Sequence, residues 1–301
     1  MAVVKAVIPA AGRGTRLYPA TKSQPKEMLP LGPRPTIQRV AEELVDAGVL
    51  QMLVVTGHSK RAIEDHLDPS EGVEKAEKCA SCAKVFENGL VKFFYTRQSE
   101  PRGLGDAVLQ ASDFVGDANF VVALGDSVIV SAEPPTLLER LIATHEDNNA
   151  AATIAVYDAG EQGTRKYGII ATEEGSNGAL KIKGIVEKPG PQRAPSTLAV
   201  CARYCFSPKV FDYLAAVRPG LGGEVQLTDA IQAMITDGLA VYAVPLGPGE
   251  FRMDVGDFVS YGRAFIRTML THEDFGEPLK KYCQDLLQYL ESSDGPDPDL
   301  I

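Results

Sequence analysis

The chain is 301 residues long, with apolar and charged residues both at globular proportions (45% and 23%), so it can bury a sizeable core and disorder is not its default state. A net charge of −10 argues against a general nucleic-acid or anionic-membrane surface, while leaving room for a local basic pocket. The five cysteines, Cys79, Cys82, Cys201, Cys205 and Cys283, form an odd, sparse set unlike a secreted disulfide framework. With a poor signal peptide and no apolar run of membrane-spanning length, they predict a reducing, cytoplasmic protein. In chain order, residues 3–9 read as a buried strand, 36–46 as a helix ended by Gly48, and 52–56 as a second strand, with a short helix beginning at Ile63. Residues 69–88 are hydrophilic and read as a surface excursion. A strand at 91–96, a helix at 106–114 and a strand at 120–124 follow. This β-α-β-α rhythm predicts a largely parallel sheet with helices on both faces, whose ligands sit at the carboxyl ends of the strands.

The second half mixes strand types. Residues 152–157, 167–172, 183–187 and 198–206 look extended, and the turn-rich tip at 173–178 suggests a hairpin. Helices are expected at 208–216 and 227–237, and a strand at 240–246. A final helix at about 278–291 carries the apolar stripe Leu279, Tyr282, Cys283, Leu286, Leu287 and Leu290, before an Asp/Pro-rich, frayed tail.

The first chemical signal is Pro9-Ala10-Ala11-Gly12-Arg13-Gly14-Thr15-Arg16, directly after the first strand. Small residues and two glycines let backbone N–H groups approach an anion, and Arg16 adds a fixed positive fork. No Gly-Lys-Ser/Thr follows, so this is not a Walker A loop. Leu17 at the third glycine position excludes a dinucleotide fingerprint. Taken alone, an ordinary glycine-rich turn explains it equally well. Next comes Pro25-Lys26-Glu27-Met28-Leu29-Pro30, a stiff loop whose Lys26 can reach the same anion, whereas Lys22 reads as solvated. Asp126, at the carboxyl tip of an apolar strand, suits Mg²⁺, the alternative being a cap for the following turn. Cys79-x-x-Cys82 has no second pair, and His58, His66, His145 and His272 show no ligand spacing with it, so free thiols are expected.

Taken together, Gly12-x-Gly14-Thr15-Arg16 and Pro25-Lys26-Glu27-Met28-Leu29-Pro30 resemble the signature of bacterial UTP–glucose-1-phosphate uridylyltransferases. Later segments extend the resemblance in order. They are Arg97-Gln98 with Gly103-Leu104-Gly105, Leu124-Gly125-Asp126, Tyr167-Gly168, Val186-Glu187-Lys188-Pro189, the run from Gly223 to Ala230, and Asp254-Val255-Gly256. The resemblance spans about residues 3–290. It implies an α/β fold with a Rossmann-like mixed, mostly parallel sheet flanked by helices, a sugar-binding β insertion and C-terminal helices. Residues 1–270 would form the catalytic domain, with a nucleotide half to about 130 and a sugar-phosphate half to about 270. Residues 271–301 would form a terminal helix and tail.

The resemblance also implies roles. Ala11, Gly12, Gly14 and Thr15 would line the nucleotide, Arg16 would hold its outer phosphates and Lys26 its α-phosphate. Gln98 and Gly103 would meet the uracil edge, Gln98 otherwise reading as an exposed strand-end glutamine. Gly168, Glu187 and Lys188 would build the sugar-phosphate site, and Asp126 and Asp254 would bind Mg²⁺. Asp257 reads instead as a helix cap. The expected substrates are UTP and glucose 1-phosphate, giving UDP-glucose and pyrophosphate, with no nucleic-acid or membrane partner and assembly as a homodimer or homotetramer. Thr197, Ala202 and Phe258 depart from the family's usual Asn, Gly and Lys. Rival expectations are a thymidylyl- or other nucleotidyltransferase acting on a different sugar 1-phosphate, and a catalytically silent nucleotide-sugar-binding regulatory subunit.

Overall fold

The computed structural model describes residues 3–68, 85, 90–175, 179–220 and 223–291. Its centre is a nine-stranded sheet. Outside it β2 (Pro30–Leu31) and β3 (Arg34–Pro35) pair with each other, and to it the first half supplies β1 (Lys5–Pro9), β4 (Gln51–Thr56), β5 (Lys92–Arg97) and β6 (Phe120–Ala123). These pair in parallel in the order β5-β4-β1-β6. The second half supplies β8 (Ala152–Asp158), β9 (Gly168–Glu174), β10 (Leu180–Glu187), β11 (Leu198–Phe206) and β12 (Val241–Pro245). Here β11 is antiparallel to both β6 and β8, β9 and β10 form the expected hairpin, and only the β12–β8 pair is parallel. The parallel character predicted from the first half therefore stops at β6.

Helices cover both faces. They are α1 (Thr36–Asp46), α2 (Arg61–Leu67), α3 (Leu104–Leu109), α4 (Ser112–Val115), α5 (Leu137–Asp147), α6 (Gly160–Gly163), α7 (Val210–Ala216), α8 (Leu227–Thr236), α9 (Phe258–Leu270) and α10 (Gly276–Glu291). Strand alternation distributes β1 between two cores: Ala6 and Ile8 face the layer containing α1 and α5, while Val7 faces the layer containing α3 and α8. The end of α1 follows from its sequence. Gly48 adopts φ 80°, its N–H donates to Val45, and the Val49 N–H donates back to Leu44, with Val49 and Leu44 both buried.

Several local expectations change. The helix read at 106–114 divides into α3 and α4. Besides the single turn α6, the helices α5 and α9 lie where none was predicted. Each opens with a capping box, Thr136 with Glu139 and Asp257 with Ser260, the latter giving Asp257 its predicted role as a cap. The stripe on α10 is not a core face: Leu279, Cys283 and Leu286 are half-buried, while Tyr282, Leu287 and Leu290 are exposed. Among the described residues no helix is long and apolar enough to cross a membrane, and Cys201, Cys205 and Cys283 are free thiols. Cys79, Cys82, most of the 69–88 excursion and the tail lie outside the described residues.

Two short strands, β7 (Ser127–Val130) and β13 (Phe251–Asp254), form an antiparallel ribbon beside the main sheet, with Asp254 opposite Ser127. A buried ion pair anchors it. Arg203, fully buried on β11, donates from Nε and Nη2 to the Glu43 carboxylate of α1 at 2.8 and 2.6 Å, and from Nη2 to the Ser127 carbonyl at 2.8 Å. The Ile129 N–H donates to the same carboxylate at 3.3 Å.

His145 on α5 is fully buried. Its Nδ1 lies 3.2 Å from the Thr153 hydroxyl on β8, and its Nε2 has no hydrogen-bond partner among the described residues. Burial drives its pKa from 6.5 down to about 4. Below 6.5 the unfolded chain takes up a proton that the folded chain refuses. Stability from this group is therefore full above that pH and falls as pH drops toward 4, by about 3 kcal/mol in all. Urea unfolding at about pH 7.5 and about pH 5 should show roughly 2 kcal/mol of this loss, and His145→Gln should flatten it.

Candidate functional site

The carboxyl ends of β1, β4 and β6 meet around the glycine loop. The Ala10 N–H donates to Val55, and the Gly125 N–H donates to the Pro9 carbonyl. Gly14 sits at φ 65°, a left-handed conformation that glycine adopts without strain. Its carbonyl accepts the Leu17 N–H and the Thr21 hydroxyl, which closes a tight turn. From Ala11 to Arg16 the backbone N–H groups make no hydrogen bond among the described residues, and Gly12, Thr15 and Arg16 are exposed. Such a run of free donors is a concave anion seat. A cavity of about 370 Å³ opens beside it, lined among others by Arg13, Lys22, His58 and Lys60. A larger groove of about 530 Å³ lies against α5 and β12, away from all of these groups, and contains none of the converging charges.

Lys26 projects beneath the loop. A Cβ on Gly12 would lie 3.6 Å from its Nζ, an ordinary van der Waals contact, so the ammonium sits directly under the glycine. The Lys26 ammonium is bonded to Asp126 Oδ2. Burial works against this charge, yet the carboxylates of Asp126, Glu27 and Asp254 prevail and hold its pKa above the ordinary lysine value. Burial likewise opposes the Asp126 carboxylate, but Lys26 and then Arg252 keep it below its ordinary value.

The β7–β13 ribbon brings Asp254 to the same place, with the Val255 N–H donating to the Asp126 carbonyl at 2.9 Å. Asp254 is raised, first by burial and then by the like charge of Asp126, against the pull of Arg252 and Lys26. Two carboxylates that repel each other in a half-buried place are a natural pair of ligands for one hard divalent cation.

Three residues missed by the sequence reading complete the cluster. Glu27, almost fully buried, is paired with the buried Lys60 at 2.7 Å. Burial raises its pKa, and Lys60 and Lys26 oppose that. The third is Arg252. It donates to Asp254 Oδ1 at 2.7 Å and to the Ser127 hydroxyl at 2.8 Å, and lies 4.9 Å from the centre of the Tyr167 ring. Arg252 is the second residue before Asp254 and so shares its strand face, a spacing signal that was available in the sequence. Lys60, a single lysine after a strand, offered none.

The residues expected at the sugar-phosphate site also converge. Glu187 pairs with Gly168 in the β9–β10 register, and its carboxylate binds both Lys188 Nζ (3.0 Å) and the Thr228 hydroxyl (3.2 Å). A Cβ on Gly168 would come within 2.8 Å of Thr228, so only glycine fits this close approach. Lys188 is exposed and its φ is 44°, a strained conformation for a non-glycine residue. Gln98, the sequence's exposed strand-end candidate, is buried instead. Its amide nitrogen donates to the Gly103 carbonyl at 3.1 Å and to Asp106 Oδ2 at 2.6 Å. Of the three departures, Ala202 holds a left-handed φ of 56° in a bulge of β11, and Phe258 is half-exposed at the start of α9. The Thr197 carbonyl accepts the Ala159 N–H.

Comparison with known proteins places these features in context. The model of the family described as nucleotidyl transferase matches residues 5–269. The UTP–glucose-1-phosphate uridylyltransferase of Streptococcus pyogenes is 43% identical, with 98% of each chain covered. A UDP-glucose pyrophosphorylase solved in complex with UDP-glucose is 35% identical, over 87% of this chain and 97% of that one, with a TM-score of 0.80. A UTP-bound enzyme from Acinetobacter baumannii is 34% identical, over 94% and 99%, with a TM-score of 0.81.

The Glu27–Lys60 pair supports the floor under Lys26. Lys60→Met should leave a buried carboxylate uncompensated and destabilise the fold by about 3–5 kcal/mol. The double variant Lys60→Met, Glu27→Leu should recover much of that loss in denaturant unfolding.

Proposed function

This chain belongs to the nucleotidyl transferase family, and we propose that it transfers the uridylyl group of UTP to glucose 1-phosphate, releasing pyrophosphate and forming UDP-glucose. The observation that carries the mechanism is the Lys26 ammonium, paired with Asp126 and held in the field of Glu27 and Asp254, under a loop whose backbone N–H groups are free among the described residues.

In this reading an oxygen of the sugar phosphate attacks the α-phosphorus. The bond from that phosphorus to the bridging oxygen breaks, and pyrophosphate departs with the electron pair. The nucleophile is already anionic and needs no general base, so the barrier lies in bringing two anions together in line. Ala11, Gly12, Gly14 and Thr15 present N–H groups to the triphosphate, and Arg16 holds its β- and γ-phosphates. Lys26 turns from Asp126 toward the α-phosphate, where charge is redistributed as the bond breaks. Gly168 and Glu187 receive the sugar, and Lys188 neutralises its phosphate. Gln98 and Gly103 meet the base. The nucleotide is thus assigned to the half up to about residue 130 and the sugar phosphate to the half up to about 270.

The residues present fit Mg²⁺. Asp126 and Asp254 supply hard oxygen donors, and among the described residues no cluster of three or more His, Cys, Asp or Glu offers a fuller cage. One or two carboxylates completed by phosphate and water are the usual Mg²⁺ environment. Bound there, the ion supplies charge neutralisation on the phosphate oxygens. Assembly as a homodimer or homotetramer belongs to the same reading, and the exposed Tyr282, Leu287 and Leu290 give α10 an apolar outer face for it.

The kinetic signatures differ by residue. Lys26→Ala should chiefly lower kcat, by about 100-fold or more, because its contact strengthens in the transition state. Lys188→Ala should chiefly raise the KM for glucose 1-phosphate, because its contact exists before reaction. Asp126→Asn and Asp254→Asn should each cripple turnover with the fold retained; near-normal rates at saturating Mg²⁺ would remove that residue from the metal site.

Pyrophosphate release, measured with each common nucleoside triphosphate against a panel of sugar 1-phosphates, tests the reading itself. UTP with glucose 1-phosphate should be the best pair. dTTP should leak through, since a methyl group is worth only about 1–3 kcal/mol of selectivity. CTP and GTP should be poor. A preference for dTTP would transfer the assignment to thymidylyl transfer.

A further inference from the structure

Gln98 follows β5, and its own N–H is pinned to the Thr56 carbonyl at 2.8 Å. Its side chain is only 5% exposed. The amide nitrogen donates to the Gly103 carbonyl (3.1 Å) and to Asp106 Oδ2 (2.6 Å). A carbonyl and a carboxylate can only accept, so they dictate which end of the amide faces them. Both amide hydrogens are consumed, and the group left to meet a ligand is Oε1. The Gly103 carbonyl is further occupied by the Ala107 N–H at 3.2 Å, so Gly103 can offer a ligand only its N–H. The pair presents one acceptor beside one donor. That pattern matches the N3–H and a neighbouring carbonyl of uracil. Cytosine carries a lone pair at N3, which would face the lone pairs of Oε1.

We propose that Asp106 is a specificity-determining positioning residue: through its bond to the Gln98 amide nitrogen it fixes the glutamine as an acceptor toward the base, and so selects uracil over cytosine. The inference rests on the assignment of UTP as substrate. It assigns no role in excluding purines, since guanine offers an N1–H beside a carbonyl in the same pattern and must be rejected by size. Asp106 touches neither base nor phosphate in this scheme. It lies on the first turn of α3, a helix capped by Gly103 itself, so the residue that orients the glutamine and the residue that shares its base contact belong to one rigid turn.

The test is the ratio of kcat/KM for UTP to that for CTP, measured by pyrophosphate release with glucose 1-phosphate. In Asp106→Asn the new amide can turn its own N–H₂ toward Gln98. The glutamine is then held only by the Gly103 carbonyl, and reversing to donate to cytosine N3 costs one acceptor–acceptor clash instead of two. The UTP:CTP ratio should fall by about tenfold or more, the scale of a hydrogen bond replaced by an acceptor–acceptor clash. Asp106→Ser, whose hydroxyl can donate or accept, should behave likewise and serves if the first variant folds poorly. The KM for glucose 1-phosphate and the UTP:GTP ratio should stay within about twofold of wild type, and in a Gln98→Ala background Asp106→Asn should move the UTP:CTP ratio by less than about twofold. If Asp106 merely supports α3, its variants will lower UTP and CTP turnover together, and an unmoved ratio overturns the proposal alone. A wild-type protein that releases no pyrophosphate from UTP with any sugar 1-phosphate, or prefers CTP, overturns the substrate assignment and the proposal with it.

Discussion

The structure turns on the buried guanidinium of Arg203. It lies where three elements meet: α1 through Glu43, β11 through the Ala202 carbonyl at 2.9 Å, and β7 through the Ser127 carbonyl. A charge taken out of water is tolerated only when its hydrogen bonds are nearly all satisfied. Here Nε, Nη1 and Nη2 all donate, and the two oxygens of Glu43 are bridged side-on by the guanidinium, the geometry that suits arginine and not lysine. The consequence reaches the site directly. Ser127 is the residue after Asp126 and stands opposite Asp254, so the ion pair that fixes Ser127 also fixes the backbone from which both carboxylates project. The left-handed Ala202 belongs to the same arrangement. Its bulge aims a carbonyl at both the Arg203 guanidinium and the Leu124 N–H, at a strain of about 1–2 kcal/mol that glycine would not incur.

Around that anchor the charges alternate in sign. Lys60 faces Glu27, Lys26 faces Asp126 and Arg252 faces Asp254. The pairs differ in how firmly they are committed. Glu27 and Lys60 are buried and satisfy each other, which makes them part of the floor. Asp254 is held above its ordinary pKa by burial and by Asp126, a repulsion that a divalent cation would relieve. Lys26 occupies the intermediate case: it neutralises Asp126, and an arriving anion would offer it a competing partner. The network thus keeps its charges paired internally, with Lys26 the member most able to exchange its partner for an incoming anion. Arg252 extends the network toward Tyr167, whose carbonyl holds the strained Lys188 backbone at 3.1 Å. The Lys26–Asp126–Asp254 cluster and the Glu187–Lys188 cluster are joined through side chains as well as through the sheet.

What the sequence determined by itself was local. The glycine loop after β1, the end of α1 at Gly48, the β9–β10 hairpin and the cap at Asp257 follow from backbone freedom, turn chemistry and short-range hydrogen bonds within a few residues. Asp126 and Asp254 could be named because each sits in a distinctive string. The resemblance implied that they share one place, but no local pattern shows it: β7 and β13 are four-residue strands separated by more than a hundred residues, too short to show a period and brought together by the tertiary structure. It also decided that Gln98 is buried and oriented by Asp106, that Glu27 and Lys60 are a single buried unit, and that the stripe on α10 faces outward. Burial and pairing are properties of what the rest of the chain brings alongside a residue. A glutamine at a strand end, or a leucine stripe on a helix, looks the same in sequence whether or not a neighbour arrives to cover it.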